Sequence, residues 1–149
     1  IPDCGLSSDI ITGFCSETEE EHQDTLSIME YSQYDYGYMY FYSERPGTLA
    51  AKRYKDDIPE DVKRRRLQEI VDKQYYLSLH SNQRDVGQTY KVLIEGDSKK
   101  DANSWMGRNS QNKVIVFPKE NYELTKGDYV MVKVNSCTKG TLLGTIANQ

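Results

Sequence analysis

Three cysteines and two histidines are the residues with the most chemistry to offer in this chain of 149 residues. Cys4, Cys15 and Cys137 are odd in number and no two stand at C-x-x-C spacing, which excludes a zinc ribbon and a thioredoxin-like motif. Free thiols of this kind usually behave as small buried hydrophobes in a cytosolic protein. His22 and His80 lie far apart, and neither has a metal-type neighbour at helical or hairpin spacing. Structural or solvent-facing roles fit them better than ligation. No Walker loop, G-x-G-x-x-G, G-x-S-x-G or H-E-x-x-H is present. No catalytic or metal-binding residue can be assigned.

The other chemistry is cationic. The net charge of −4 divides unevenly: residues 1–83 carry 9 Lys/Arg against 16 Asp/Glu, and residues 84–149 carry 10 against 7. Only the second part suits a polyanion. Its cations Arg84, Lys99, Lys100, Arg108, Lys113, Lys126 and Lys139 cluster at turns and strand ends, and Trp105 lies close to Arg108. Ordinary surface charge explains such a set as readily as RNA contact. Basic loops and an aromatic on a small barrel are also a common means of holding an RNA backbone and stacking a base. An RNA grip and a protein-contact module are both open on these residues. Lys63-Arg64-Arg65-Arg66 reads as a solvated helical face, with a phosphate contact as the alternative.

The elements that position these groups follow from periodicity. Asp9 to Phe14 is a short apolar run and reads as a buried strand. Ser16-Glu17-Thr18-Glu19 is an S-x-x-E capping box, opening a helix to about Tyr31 with His22, Thr25, Leu26 and Met29 facing the core. Tyr36 to Tyr42 is an aromatic-rich second strand, so the order is βαβ with parallel strands. One such unit cannot cover its own sheet, which marks it as the edge of a larger α/β domain. Residues 43–58 read as irregular, and Pro59 opens a long helix with Gly87 beyond its end. From Thr89 the period becomes two. Five strands with regular turns then predict a small, closed or nearly closed OB-like barrel. Hydrophobic content of 37% with 28% charged residues is globular, and no apolar run is long enough for a membrane span or an export signal. The chain opens on Ile1-Pro2-Asp3 without Met, as a cut or processed chain would.

Three strings carry a resemblance: DIITGFCSETEEEHQDTLSIME, YGYMYFYSERPGTLAA, and DVGQTYKVLIEG with GRNSQNKVIVF. Together they closely resemble the tRNA methylthiotransferases of the radical-SAM superfamily. The resemblance implies that residues 1–82 are the last part of an incomplete TIM-like radical-SAM barrel with its connecting helix, and that residues 83–147 are a TRAM domain. The Tyr42–Thr48 string is most like the branch that methylthiolates dimethylallyl-modified adenosine beside the anticodon. A whole enzyme of this kind implies an N-terminal portion of the same chain, S-adenosylmethionine and two 4Fe–4S clusters. This chain has no C-x-x-x-C-x-x-C loop, so by itself it is expected to be inactive and to hold no cofactor. Ile11 and Gly13 resemble the strand end that approaches the adenosine of the cofactor, with simple strand termination as the alternative for Gly13. The implied partner is tRNA through its anticodon stem-loop, with Arg45, Arg84, Lys99, Lys100, Trp105, Arg108, Lys113 and Lys139 as RNA-contact candidates; Arg45 could equally pair with Glu44 or Asp56. The implied location is the cytoplasm, and the unfinished sheet predicts self-association.

Overall fold

The computed structural model describes residues 3–119 and 123–147. Ile1 and Pro2 lie outside the described residues. The chain separates into two compact units, one of residues 7–77 and the other of residues 1–6 with 78–149.

In the first unit, strand β1 (Ser7–Thr12), helix α1 (Glu19–Ser32) and strand β2 (Tyr36–Phe41) form the expected βαβ unit, with β1 parallel to β2. Ile10 faces Met39 across the pair, and both pack beneath α1 and α3 (Glu60–Arg84) around Met29, Ile70 and Leu77. That covers one face of the sheet. The other is open: Ile11 is 59% exposed beside Tyr40 at 56%. The apolar run over 9–14 is therefore buried along one side only, since alternate strand residues point to opposite faces.

Two local expectations shift. The capping box belongs to Thr18 and Glu21, two residues later than Ser16 and Glu19: Thr18 accepts from the Glu21 amide, and the Glu21 carboxylate accepts from the Thr18 amide at 2.7 Å. Both registers satisfy the same S/T-x-x-E spacing, but Ser16 has a left-handed φ of 67°, while an N-cap residue needs the extended conformation that Thr18 adopts. Residues 43–58 are also not wholly irregular. Thr48 caps a short helix α2 (Leu49–Arg53), its hydroxyl accepting from Ala51 N–H.

In the second unit, strands β3 (Thr89–Ser98), β4 (Asp101–Arg108), β5 (Val114–Pro118), β6 (Tyr129–Cys137) and β7 (Leu142–Ile146) close a barrel in the order β3-β4-β5-β7-β6. Every pairing is antiparallel except β5 with β7. Closure removes the exposed edges of an open sheet. Val92, Ile94, Ile115, Phe117, Val132, Val134 and Leu142 fill the interior. The last turns of α3 belong with this unit: Asn82 Nδ2 donates to the Thr138 carbonyl at 2.9 Å, and Gly87, with φ of 91°, donates to Val134 O.

Strand contacts tighten at two glycines. A Cβ at Gly107 would collide with the Leu93 carbonyl and Val92 Cγ1, and one at Gly144 with the Lys133 carbonyl and Val132 Cγ1. Gly107→Ala and Gly144→Ala should each destabilise the barrel by about 1–3 kcal/mol in urea titrations followed by the fluorescence of Trp105. Gly140→Ala, with no heavy atom within 4 Å of its added methyl, should stay within about 0.5 kcal/mol of the parent chain.

Candidate nucleic-acid interface and strand-end groove

At the end of β1 the chain turns sharply. Gly13 has φ of 70°, and the Glu17 carboxylate gathers three donors there: Gly13 N–H at 2.9 Å, the Thr12 hydroxyl at 3.2 Å and Arg66 Nη1 at 2.8 Å. The space a Cβ would take at Gly13 is filled by the aliphatic stem of Lys63. The close approach expected of a ligand at Gly13 is thus made by the chain itself. Ile11 faces the opposite way, into a groove of about 760 Å³ on the open sheet face, lined also by Asp9, Tyr40, Arg45 and Thr48. Arg45 is exposed and forms no ion pair among the described residues. Asp56, one of its expected partners, accepts from Lys63 Nζ at 2.7 Å instead.

The basic run on α3 is not a solvated face. Lys63 and Arg66 are only 5% and 4% exposed, while Arg64 and Arg65 point outward into pairs with Glu60 and with Glu19 and Glu69. Burial of a charged group is tolerated when it is paired, and the acids that pair these cations sit on α1, its entry loop, the segment before α3 and α3 itself. His22 is fully buried and structural: Nε2 lies 2.7 Å from Glu69, and Nδ1 lies 3.5 Å from the Thr12 hydroxyl. Glu19, His22 and Glu69 could converge on a metal ion, with ligand atoms within 4.8 Å of one another. The two carboxylates are already committed to Arg65 at 2.7 and 2.6 Å, which argues for a salt-bridge network there.

In the barrel unit the candidate cations divide. Lys113 is withdrawn from the surface: Nζ donates to Asp85 at 2.6 Å and to Ser81 at 2.7 Å, and its side chain is 7% exposed. Turn position suggested exposure, but Lys113 precedes β5 just where the end of α3 packs. Tyr90 O–H donates to the other Asp85 oxygen at 2.6 Å, and burial with that carboxylate beside it pushes the phenol pKa upward. Trp105 is not a bare stacking surface either. Its ring packs on the barrel core and lies 4.4 Å beneath Lys119 Nζ. Arg108 is half-exposed, donating to Glu95 at 3.2 Å and to the Asn112 carbonyl at 2.8 Å. Arg84, Lys99, Lys100, Lys126 and Lys139 are exposed at the end of α3 and in the barrel turns. Sequence reasoning passed over the outward positions of β6. The alternation of Val130, Val132 and Val134 sends Tyr129, Met131 and Lys133 outward, beside Lys91 of β3. That signal was present in the period-two pattern.

Comparison with known proteins fixes the relationship. A family model for the TRAM domain matches residues 83–147. The tRNA-2-methylthio-N(6)-dimethylallyladenosine synthase of Amoebophilus asiaticus is 59% identical over 99% of the chain. Its namesakes in Christiangramia forsetii and Flavobacterium johnsoniae are 58% and 55% identical over 97%. The chain is closely similar to these synthases along nearly its whole length. It spans about 30% of their length. Residues 83–147 are its TRAM domain, built as the closed five-stranded barrel. The three cysteines do not gather into an iron–sulfur ligand set among the described residues. Cys4 is exposed, Cys15 is buried beside the Tyr42 phenol, and Cys137 is half-buried on β6.

Two outcomes test these assignments. Lys113→Met leaves the Asp85 carboxylate buried without its cation and should cost about 3–5 kcal/mol in urea titrations. Hydrogen bonds from His22 and then Arg65 hold the Glu69 carboxyl below its ordinary value, and Arg65 chiefly holds Glu19 down to about 2 from 4.5. Depressed carboxyl pKa values contribute stability in full above the unfolded-state value and lose it as pH falls toward the folded one. Unfolding followed by circular dichroism should therefore be steady above about pH 5 and weaken progressively between pH 4.5 and about 2. The paired Glu19→Gln, Glu69→Gln variant should lose part of that slope.

Proposed function

We propose that this chain is the substrate-holding part of an enzyme that methylthiolates the dimethylallyl-modified adenosine beside the tRNA anticodon, with the TRAM barrel gripping the anticodon stem-loop. The observation that carries this reading is the match along nearly the whole chain to synthases named for that product. The charge division supports it, because the excess of Lys/Arg is confined to the part that folds as the barrel. Arg84, Lys99, Lys100, Arg108 and Lys139 are the cations retained as phosphate contacts, and Arg45 is retained as a contact from the groove. Phosphate neutralisation of this kind supplies most of the affinity of a basic surface for RNA.

On this reading the sheet of β1 and β2 continues in the rest of the enzyme as the incomplete radical-SAM barrel. The open face bearing Ile11, Tyr38 and Tyr40, each more than half exposed, is the side left for further chain. S-adenosylmethionine and two 4Fe–4S clusters would supply the radical and the sulfur. The groove at Ile11 suits the adenosine portion in size and lining, being apolar with a few polar groups. Gly13 does not line that groove, and the space beside it is taken by the Lys63 stem. The cysteines present do not fit a cluster, so its ligands belong to another part of the enzyme. No helix among the described residues is long and apolar enough to cross a membrane, as suits an enzyme acting on tRNA in the cytoplasm.

Fluorescence anisotropy with a labelled anticodon stem-loop tests the RNA grip. Affinity should fall steeply between about 50 and 200 mM salt, and the double variant Lys99→Ala, Lys100→Ala should lower the log–log salt slope by roughly 0.7–0.9 for each phosphate no longer neutralised. Absence of binding at low salt, or binding indifferent to these cations, would favour a barrel that serves only as a structural or protein-contact cap.

A further inference from the structure

The outward side of β3, β6 and β7 has a composition that the turn cations do not explain. Val132 and Val134 are fully buried, and the alternation along β6 turns Tyr129, Met131, Lys133 and Asn135 to solvent. Lys91 stands opposite Met131 in the β3–β6 register, and Thr145 of β7 stands opposite Lys133. Tyr129 is 59% exposed and Met131 is 40% exposed, although both sit on strands of a closed barrel. The Lys91 ammonium lies 4.5 Å from the centroid of the Tyr129 ring, orienting it from one side. At the outward positions 89, 91 and 93 of β3, 129, 131, 133 and 135 of β6 and 143 and 145 of β7 there is no carboxylate.

We propose that this strand face is a base-stacking platform for single-stranded RNA: Tyr129 and Met131 take an unstacked base, and Lys91 and Lys133 take the phosphates that flank it. Unpaired loops expose bases that stack on aromatic side chains, and each base has a π-face to offer whatever its identity. Protein-contact patches are built the other way, with lysine depleted around their apolar centre. Here two lysines border the aromatic and no acid offsets them. The platform deepens the RNA-binding reading and rests on it. It assigns base contact to the sheet and leaves the turn cations to position the backbone.

The test compares the 149-residue chain and its variants on two labelled RNAs, a stem-loop with an unpaired loop and a blunt duplex of equal charge. Tyr129→Ala should weaken stem-loop binding roughly five- to hundredfold, with the salt slope unchanged and duplex binding little altered. Tyr129→Phe, which keeps the ring, should bind as the parent chain does. The double variant Lys91→Ala, Lys133→Ala should reduce the salt slope by about 1.4. Circular dichroism checks that each variant is folded. Wild-type-like stem-loop binding by Tyr129→Ala, with Lys99 and Lys100 still needed, would overturn the platform and leave the RNA grip standing. Equal losses on both RNAs would overturn it too, by showing that stacking is not what the ring contributes. So would an unchanged affinity accompanied by a new oligomeric state in light scattering, which would make the face a protein contact. If the parent chain bound neither RNA at any salt, both readings would fall together.

Discussion

A charge taken out of water must meet its counter-charge, and helix α3 is organised around that requirement. Its buried stripe is occupied by Lys63, Arg66, Gln74 and Ser81, with Asp85 just past its end, as well as by Ile70 and Leu77. Each buried ion has a specific answer elsewhere: Asp56 for Lys63, Glu17 for Arg66, Lys113 for Asp85. Apolar packing would accept many registers of a helix on a sheet. Paired ions accept few, because a slip of one residue strands a charge in a place it cannot leave. Within each unit the position of α3 is fixed by these pairs more narrowly than by its few buried leucines and isoleucines.

The same requirement separates charges that build from charges that bind. Lys63, Arg66 and Lys113 would count as basic surface on any tally of composition, yet all three are spent inside the fold. What remains for a polyanion is smaller and better defined: the turn cations, and the lysines on the outer face of β3 and β6. In the acidic first unit the counter-ions come from α1, its entry loop, the segment before α3 and α3 itself, so much of its negative charge is structural as well.

Much of this was legible beforehand, and the misses have physical causes. Period-two alternation from Thr89 onward located all five barrel strands, because Val and Ile at alternate positions can point only to the interior of a closed sheet. Pro59 marked the start of α3, its carbonyl accepting from Lys63 N–H. The capping box slipped by two residues because Ser16 and Thr18 offer the same spacing, and only backbone conformation chooses between them. The apolar run at Ile10 and Ile11 looked buried on both sides because hydrophobicity reports tendency and not coverage. Lys113 was misplaced for a related reason. Position near a turn predicts exposure on average, whereas the packing of the end of α3 decides it here.

The order of pairing in the barrel also bears on how the chain is made. β1, α1 and β2 are contiguous in sequence and can associate as they emerge from a ribosome. β3 cannot complete its pairing so early. Its partners Val130 to Lys133 lie on β6, and β5 waits for Leu142 and Leu143 on β7. The barrel therefore stays unclosed until β7 has been synthesised, with β5 and β6 holding unpaired edges until then. A nascent chain stalled before residue 142 would present an open, valine-rich sheet to its surroundings, and contacts so distant in sequence fold slowly. For the cell, completing the last strand of the barrel is what turns a sticky intermediate into a closed barrel.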